Sequence, residues 1–247
     1  MDGKCRRDIC RRIRLLPDGI GLARCGWTDA ADSLIAYFCA ACGFGAGDRG
    51  ARVTNRYIYL NGGPVNGWYT WGSAGARARS YVVNSLQLGI IPTFVYYNIA
   101  DGGESYDLDL QHVQDAEYLR GYFQQLQAAL DIVKEEAPDE PVMFVLEPDF
   151  IGYLMQNAGK GADQIMARTS AVQAARRLDS AGQLTTAPLW SSADPSYPDT
   201  VTGLVRTINY LIRRTLPRAQ FGWQINVWSS LSADNTLRAP KGLMKIT

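Results

Sequence analysis

Between Pro141 and Asn157 an apolar run, Val142 to Leu146, stops on two carboxylates, Glu147 and Asp149, separated only by Pro148. The run is short and β-prone, and helical spacing resumes from Phe150 to Met155, so both acids are expected at the carboxyl end of a strand. In parallel α/β sheets that rim carries the chemistry. Pro148 disfavours the helical region for Glu147 and predicts an extended backbone there. Alternation along that strand would then point Glu147 and Asp149 into one shared mouth.

The signals around this segment alternate. Strands are predicted at Tyr57 to Leu60, Ile90 to Ile99, Val142 to Leu146 and Phe221 to Trp228. Helices are predicted from Ser73 to Leu88, with Gly89 as the stop, and over a long segment capped by Asp109. In the latter, Leu119, Phe123, Leu126, Leu130, Val133 and Ala137 form one apolar stripe. Shorter helices are predicted near Ile151 to Asn157 and Ala171 to Arg177, and a longer one over Thr200 to Leu216; Thr185 to Pro198 reads as loop. The order predicts an α/β fold, a (β/α) barrel-like parallel sheet with right-handed crossovers. A complete barrel of this kind has eight strands in roughly 250 residues. Four are legible, so the expectation is a barrel-like sheet that is incomplete or truncated.

Residues 1-56 have another texture. They hold 10 Lys/Arg and 6 Asp with no sustained period of 3.6 or 2, and all five cysteines (Cys5, Cys10, Cys25, Cys39, Cys42) lie there. They are read as an atypical, ill-packed extension, and 57-247 as the barrel-like domain. Cys39 and Cys42 have the spacing of redox and zinc sites, but the only histidine, His112, is distant and no second pair follows, so neither metal nor cofactor is expected. Gly45, Gly47 and Gly50 fit a dinucleotide fingerprint in spacing but lead toward a strand instead of opening a helix. With 25 Lys+Arg against 24 Asp+Glu there is no global pull toward nucleic acid or anionic membrane. No apolar run approaches the roughly 20 residues needed to cross a bilayer.

A carboxyl at the mouth of an apolar strand, raised in pKa by burial and by a like-charged neighbour, can hold a proton near neutral pH and serve as a general acid. Glycosidic hydrolysis uses such an acid with a second carboxylate. The competing reading makes Asp149 a helix cap and Glu147 an arginine partner. Aromatic residues suit the faces of sugar rings: Trp68 and Trp71 follow the first strand and Tyr97 ends the second. Asn98, Gln224 and Asn226 are candidate partners of sugar hydroxyls, Gln224 and Asn226 alternatively forming a buried polar layer.

The string from Glu147 through Asn157 resembles the Glu-Pro-Asp-Ser-Leu-x-x-Leu-x-x-Asn segment of family 6 glycoside hydrolases, cellobiohydrolases and endoglucanases built on a distorted β/α barrel. The resemblance spans about residues 90-157 and implies that Asp149 is the general acid of a secreted β-glucan hydrolase acting on a polysaccharide or oligosaccharide; it favours inversion, with retaining and inverting chemistry both left open by the residues. Pro92 to Asp101 is similar to the family's Val-Tyr-Asp-Leu-Pro strand and the loop after it. Asn98 stands where the family has aspartate, and no Arg-Asp-Cys follows, leaving Asp101 or Glu104 to take the tuning role. The family's Leu-Asp-x-Gly-His and Lys-Pro-Gly-Gly-Glu segments are missing, and candidate bases are Asp101, Glu104, Asp194 and Asp199. The alternative is a non-catalytic carbohydrate-binding barrel or an inactive fragment of such an enzyme.

Overall fold

The sheet that carries the candidate rim is built from four parallel strands in sequence order. The computed structural model describes residues 54–224. β1 (Asn55–Asn61), β2 (Ile91–Tyr97), β3 (Met143–Leu146) and β6 (Gln220–Trp223) lie side by side in the order β1-β2-β3-β6. Their register pairs Leu60 with Tyr96, Phe94 with Phe144, and Leu146 with Trp223. Parallel neighbours require a long crossover, and right-handed crossovers between consecutive strands put the connecting helices on one face.

Those helices are α2 (Ala76–Gln87), α4 (Ala116–Glu136) and α7 (Val201–Thr215). Period-2 alternation turns Leu60, Phe94, Tyr96, Phe144 and Leu146 toward them, and all five are buried. Tyr81 of α2 meets Phe94 edge-on, and Tyr96 packs on Tyr122 of α4 while its hydroxyl donates to the Tyr122 carbonyl at 3.1 Å. The predicted apolar stripe of α4 holds without exception, since Leu119, Phe123, Leu126, Leu130, Val133 and Ala137 are all buried. The opposite face of the sheet carries Tyr59 and Tyr97, whose rings lie 6.3 Å apart. The architecture is therefore mixed α/β with a four-stranded parallel sheet; a closed barrel is not present among the described residues.

Local signals fared unequally. Gly89 terminates α2 with φ 67, as a glycine stop should. Thr200 caps α7, its hydroxyl accepting from the Gly203 N–H at 3.2 Å. The long helix begins later than expected. Asp115, with its carboxylate accepting from the Glu117 and Tyr118 amides, is the cap of α4, and Asp109 lies inside a separate helix, α3 (Tyr106–Gln114), capped by Ser105. Residues 158-199 add no strand to the main sheet. After the four-residue helix α6 (Ala171–Ala174), Arg176–Leu178 and Leu184–Pro188 pair antiparallel as β4 and β5, where a helix reaching Arg177 and a loop had been expected. Two short pieces after β1, α1 (Gly63–Asn66) and a 3-10 turn at Trp68–Thr70, complete that rim, and α5 (Phe150–Ala158) follows β3. Residues 1-53 of the predicted extension, with its cysteines, lie outside the described residues, as do Asn226 and Trp228, whereas Asn55 and Arg56, assigned to the extension, begin β1 and pair with Ile91 and Pro92.

Candidate active site

Strand direction puts the ends of β1, β2 and β3, and the loops leaving them, on one rim. The two acids that end β3 do not share a mouth in the expected way. Glu147 is not extended: its φ is 39, and that of Asp149 is 70, the two positive values among described non-glycine residues. Such conformations are strained for side-chain-bearing residues and persist where surrounding contacts over-determine them. For Glu147 those contacts are explicit. Its buried carboxyl accepts from the Asn98 amide at 3.2 and 3.0 Å and from the Ile99 amide at 2.9 Å, clamping the end of β2 to the end of β3. Burial raises its pKa to about 8, against the opposing pull of the two backbone donors. The nearby Tyr122 hydroxyl also favours the charged form, although it makes no well-aligned hydrogen bond.

The left-handed turn sends Asp149 elsewhere. It occupies the position before α5 but its side chain caps none of the helix's N–H groups. It is half-buried on the rim, and its pKa is raised by burial and by the charge of Glu104. Glu104 lies on the loop after β2 and accepts from the Tyr97 hydroxyl at 2.8 Å. Tyr97 is in turn pushed up by burial, Glu104, Asp149 and Asp109. Asp149, Glu104, Asp109 and Tyr97 thus form one electrostatic neighbourhood, with Tyr153 of α5 facing it as well. Among the described residues, the ion pairs all lie elsewhere.

Asp109 is the residue the sequence did not flag as chemical. It is fully buried with no partner for either oxygen, and burial together with the charges of Asp149 and Glu104 raises its pKa to about 7. Its helical spacing relative to Val113, also buried, was the available signal, since an acid on the inward face of a short helix is unusual.

Other candidates divide. Asp101 packs against the backbone after β1, where a Cβ on Gly63 would come within 2.1 Å of its carboxylate. It adds to the field that raises Tyr118, whose hydroxyl donates to the Asn98 carbonyl. Asn98 is buried, donating to the Leu60 carbonyl at 2.8 Å, so it ties β2 to β1. His112 is likewise structural in geometry, with Nδ1 2.6 Å from the Ile99 carbonyl and its ring stacked on Tyr118. Trp68 corrects the expectation of a rim platform: it is buried in the core against Tyr69 and offers no open ring face. Trp71 remains 43% exposed, with the Arg77 guanidinium over its ring at 5.0 Å. Gln224 continues β6, its amide donating to the Leu146 carbonyl at 3.3 Å. Two proposed bases are committed elsewhere. Asp194 pairs with Arg214 at 2.9 Å, and Asp199 accepts from the Ser170 amide and hydroxyl at 2.7 and 2.9 Å.

No group of His, Cys, Asp and Glu among the described residues is arranged to hold a metal ion, and no described helix is long and apolar enough to cross a membrane. Comparison with protein-family models, curated proteins and solved structures gives no match.

Proposed function

We propose that this protein is a glycoside hydrolase acting on a β-glucan-type polysaccharide, with Asp149 as the general acid. The observation that carries the reading is the condition of Asp149: a half-buried carboxyl at the carboxyl end of a parallel strand, held in a left-handed conformation, free of capping duty and raised in pKa. A carboxyl spent on stabilising the helix start would accept from its first amides and have its charged form favoured. Asp149 does the opposite, as a proton donor to a leaving oxygen must.

Glu104 and Asp101 are the acids on the same rim that could activate water, Glu104 being exposed and held by Tyr97. Glu147 serves as the clamp between β2 and β3. Trp71 and Tyr97 supply ring surface for sugar, and Gln224 a polar edge.

Reducing-sugar release from cellulose, mixed-linkage glucan and xylan tests the reading. The wild type should release sugar and Asp149→Ala should lose activity about 10²–10⁴-fold, the range for removing a general acid. Equal rates in the two proteins would end it. The second reading, a carbohydrate-binding module without turnover, draws on Asn98 being tied to the Leu60 carbonyl and on the commitment of Asp194 and Asp199. It requires retention on glucan that Trp71→Ala weakens and Asp149→Ala leaves intact.

A further inference from the structure

The two faces of the parallel sheet carry different residues. Toward α2, α4 and α7 the strands turn Leu60, Phe94, Tyr96, Phe144 and Leu146, a dry side that those helices cover. The alternate positions reach the other side, and their composition is of another kind. β1 places Asn55, Tyr57, Tyr59 and Asn61 there, β2 places Thr93 and Tyr97, and β6 places Gln220. The Asn55 Nδ2 donates to the Met143 Sδ at 3.0 Å, a contact reaching from β1 to β3 over β2, so these side chains share one face.

Parallel sheets ordinarily have both faces covered, and a face covered by protein reads as a run of Val, Ile and Leu. Here an apolar centre, with Ile91 and Val95 buried, is bordered by tyrosines and amides. Tyr59 is 40% exposed, and Tyr57, Asn61, Tyr97 and Gln220 are half-buried. The buried Thr93 hydroxyl has no hydrogen-bond partner among the described residues. A dry protein partner would leave amides and hydroxyls of this kind unpaired, which is costly. No strand position on this face holds Asp, Glu, Lys or Arg, so it has no charge with which to hold nucleic acid, an acidic peptide or anionic lipid. What it matches is an uncharged molecule with apolar C–H faces and many hydroxyls.

The tyrosines also stand in line. Tyr57 meets Tyr59 edge-on at 5.7 Å, Tyr59 lies 6.3 Å from Tyr97, and the Tyr97 hydroxyl donates to Glu104 at 2.8 Å. The row therefore runs along β1 and ends at an acid of the candidate rim. We infer that this face of the sheet is a binding surface for a neutral oligosaccharide, whose successive rings lie on Tyr57, Tyr59 and Tyr97 and whose end reaches the rim at Glu104. The units held by Tyr57 and Tyr59 are remote from the bond to be cleaved, so the surface is additional to the site at Asp149. The choice of a β-glucan as the occupant rests on the reading of Asp149 as general acid.

The test is calorimetric titration of the full chain with cellohexaose and with cellobiose, in an Asp149→Ala background so that the probe survives. Tyr59→Ala should weaken hexaose binding about 10-fold and Tyr57→Ala about 3- to 10-fold, while Tyr59→Phe stays within about twofold, the ring being what the sugar meets. Cellobiose, too short to span the row from Glu104, should lose less than about threefold on Tyr57→Ala. Where an alanine unfolds the sheet, the unsubstituted chain labelled with fluorotyrosine supplies the readout: the ¹⁹F signals of Tyr57 and Tyr59, assigned from their Phe variants, should move when the hexaose is added. Signals that stay still, no binding of the hexaose, or an affinity unchanged by Tyr59→Ala in the folded protein overturns the inference. Asp149-dependent hydrolysis with unmoved signals defeats this inference alone, whereas moved signals with hydrolysis that Asp149→Ala leaves intact uphold the surface and defeat the reading of Asp149.

Discussion

Two clusters of aspartates lie at opposite ends of the sheet, and they are built on contrary rules. At the amino-terminal end, where α4 and α7 finish, a cleft of about 400 Å³ is lined by Asp131, Lys134, Arg177, Asp194 and Arg214 among others. Both acids there have an arginine: Arg177 contacts Asp131 at 2.8 Å, and Arg214 contacts Asp194 at 2.9 Å. Asp194 also accepts from Tyr210 and Ser191, and these bonds hold its carboxyl down to about 2 despite burial. At the carboxyl-terminal rim, Asp149, Asp109 and Glu104 face one another and tyrosines, and their surroundings push the first two up. Paired, the carboxyl is held in its charged form; buried without a partner, it is pushed toward the protonated one. A cleft whose acids each already have an arginine is thus the weaker functional candidate.

The sharpest way to break the contrast is activity. Asp149→Ala should abolish most hydrolysis, whereas Asp194→Asn should leave kcat within about threefold in the folded protein, as expected for a residue far from a site that acts by proton transfer. Stability should show the reverse order. Arg214→Ala strips a guanidinium that also donates to the Leu189 carbonyl and lies over Trp190 and Tyr210. It should cost about 2–4 kcal/mol in urea unfolding, in line with removing one partner of a largely buried pair; a loss below ~1 kcal/mol would show the cleft to be dispensable.

The pH dependence should differ in sign between the clusters. Glu147 and Asp109 have folded pKa values of about 8 and about 7, above the ordinary carboxyl range. The folded state therefore binds more protons than the unfolded one between about pH 4 and 8, so their contribution is greatest in acid and lost as pH rises toward 8. Asp194, depressed to about 2, contributes stability above its ordinary pKa of 3.8 and loses it as pH falls toward 2. Asp109→Asn should flatten the loss between pH 5 and 8 and raise stability at pH 8 by about 1–2 kcal/mol, the scale of relieving an unsatisfied buried group. Asp194→Asn should flatten only the acid limb. The smallest effect concerns sugar contact: Trp71→Ala should weaken oligosaccharide affinity by about 1 kcal/mol in calorimetry without altering kcat, the ring being half-exposed and shared with Arg77.

The legibility of this chain followed the range of the interaction. The strands at 55–61, 91–97 and 143–146 were readable as short β-prone runs bounded by turn residues, and the stripe of α4 because its burial repeats every three or four residues. The hairpin of β4 and β5 was not. Its strands are three and five residues long, largely exposed, and joined by pairing that no local period records. Trp68 was misassigned for a related reason. A glycine-flanked aromatic run reads as an exposed loop, and only the packing of the turn onto the core decides that one of its tryptophans is buried while Trp71 is exposed. Likewise Pro148 argued for an extended Glu147, and two backbone amides donated from the neighbouring strand outweighed that local preference.

What the amino-acid order determined alone is the parallel alternation of strand and helix and the arrival of Glu147 and Asp149 at a strand's carboxyl end, because burial periods and turn residues act within a single element. Which acid became the clamp, which faced the rim, and that Asp109 would stand buried and unpartnered were decided by the tertiary structure. Desolvation and charge coupling depend on groups brought together from β2, β3, α3 and α5, and no stretch of sequence holds those distances.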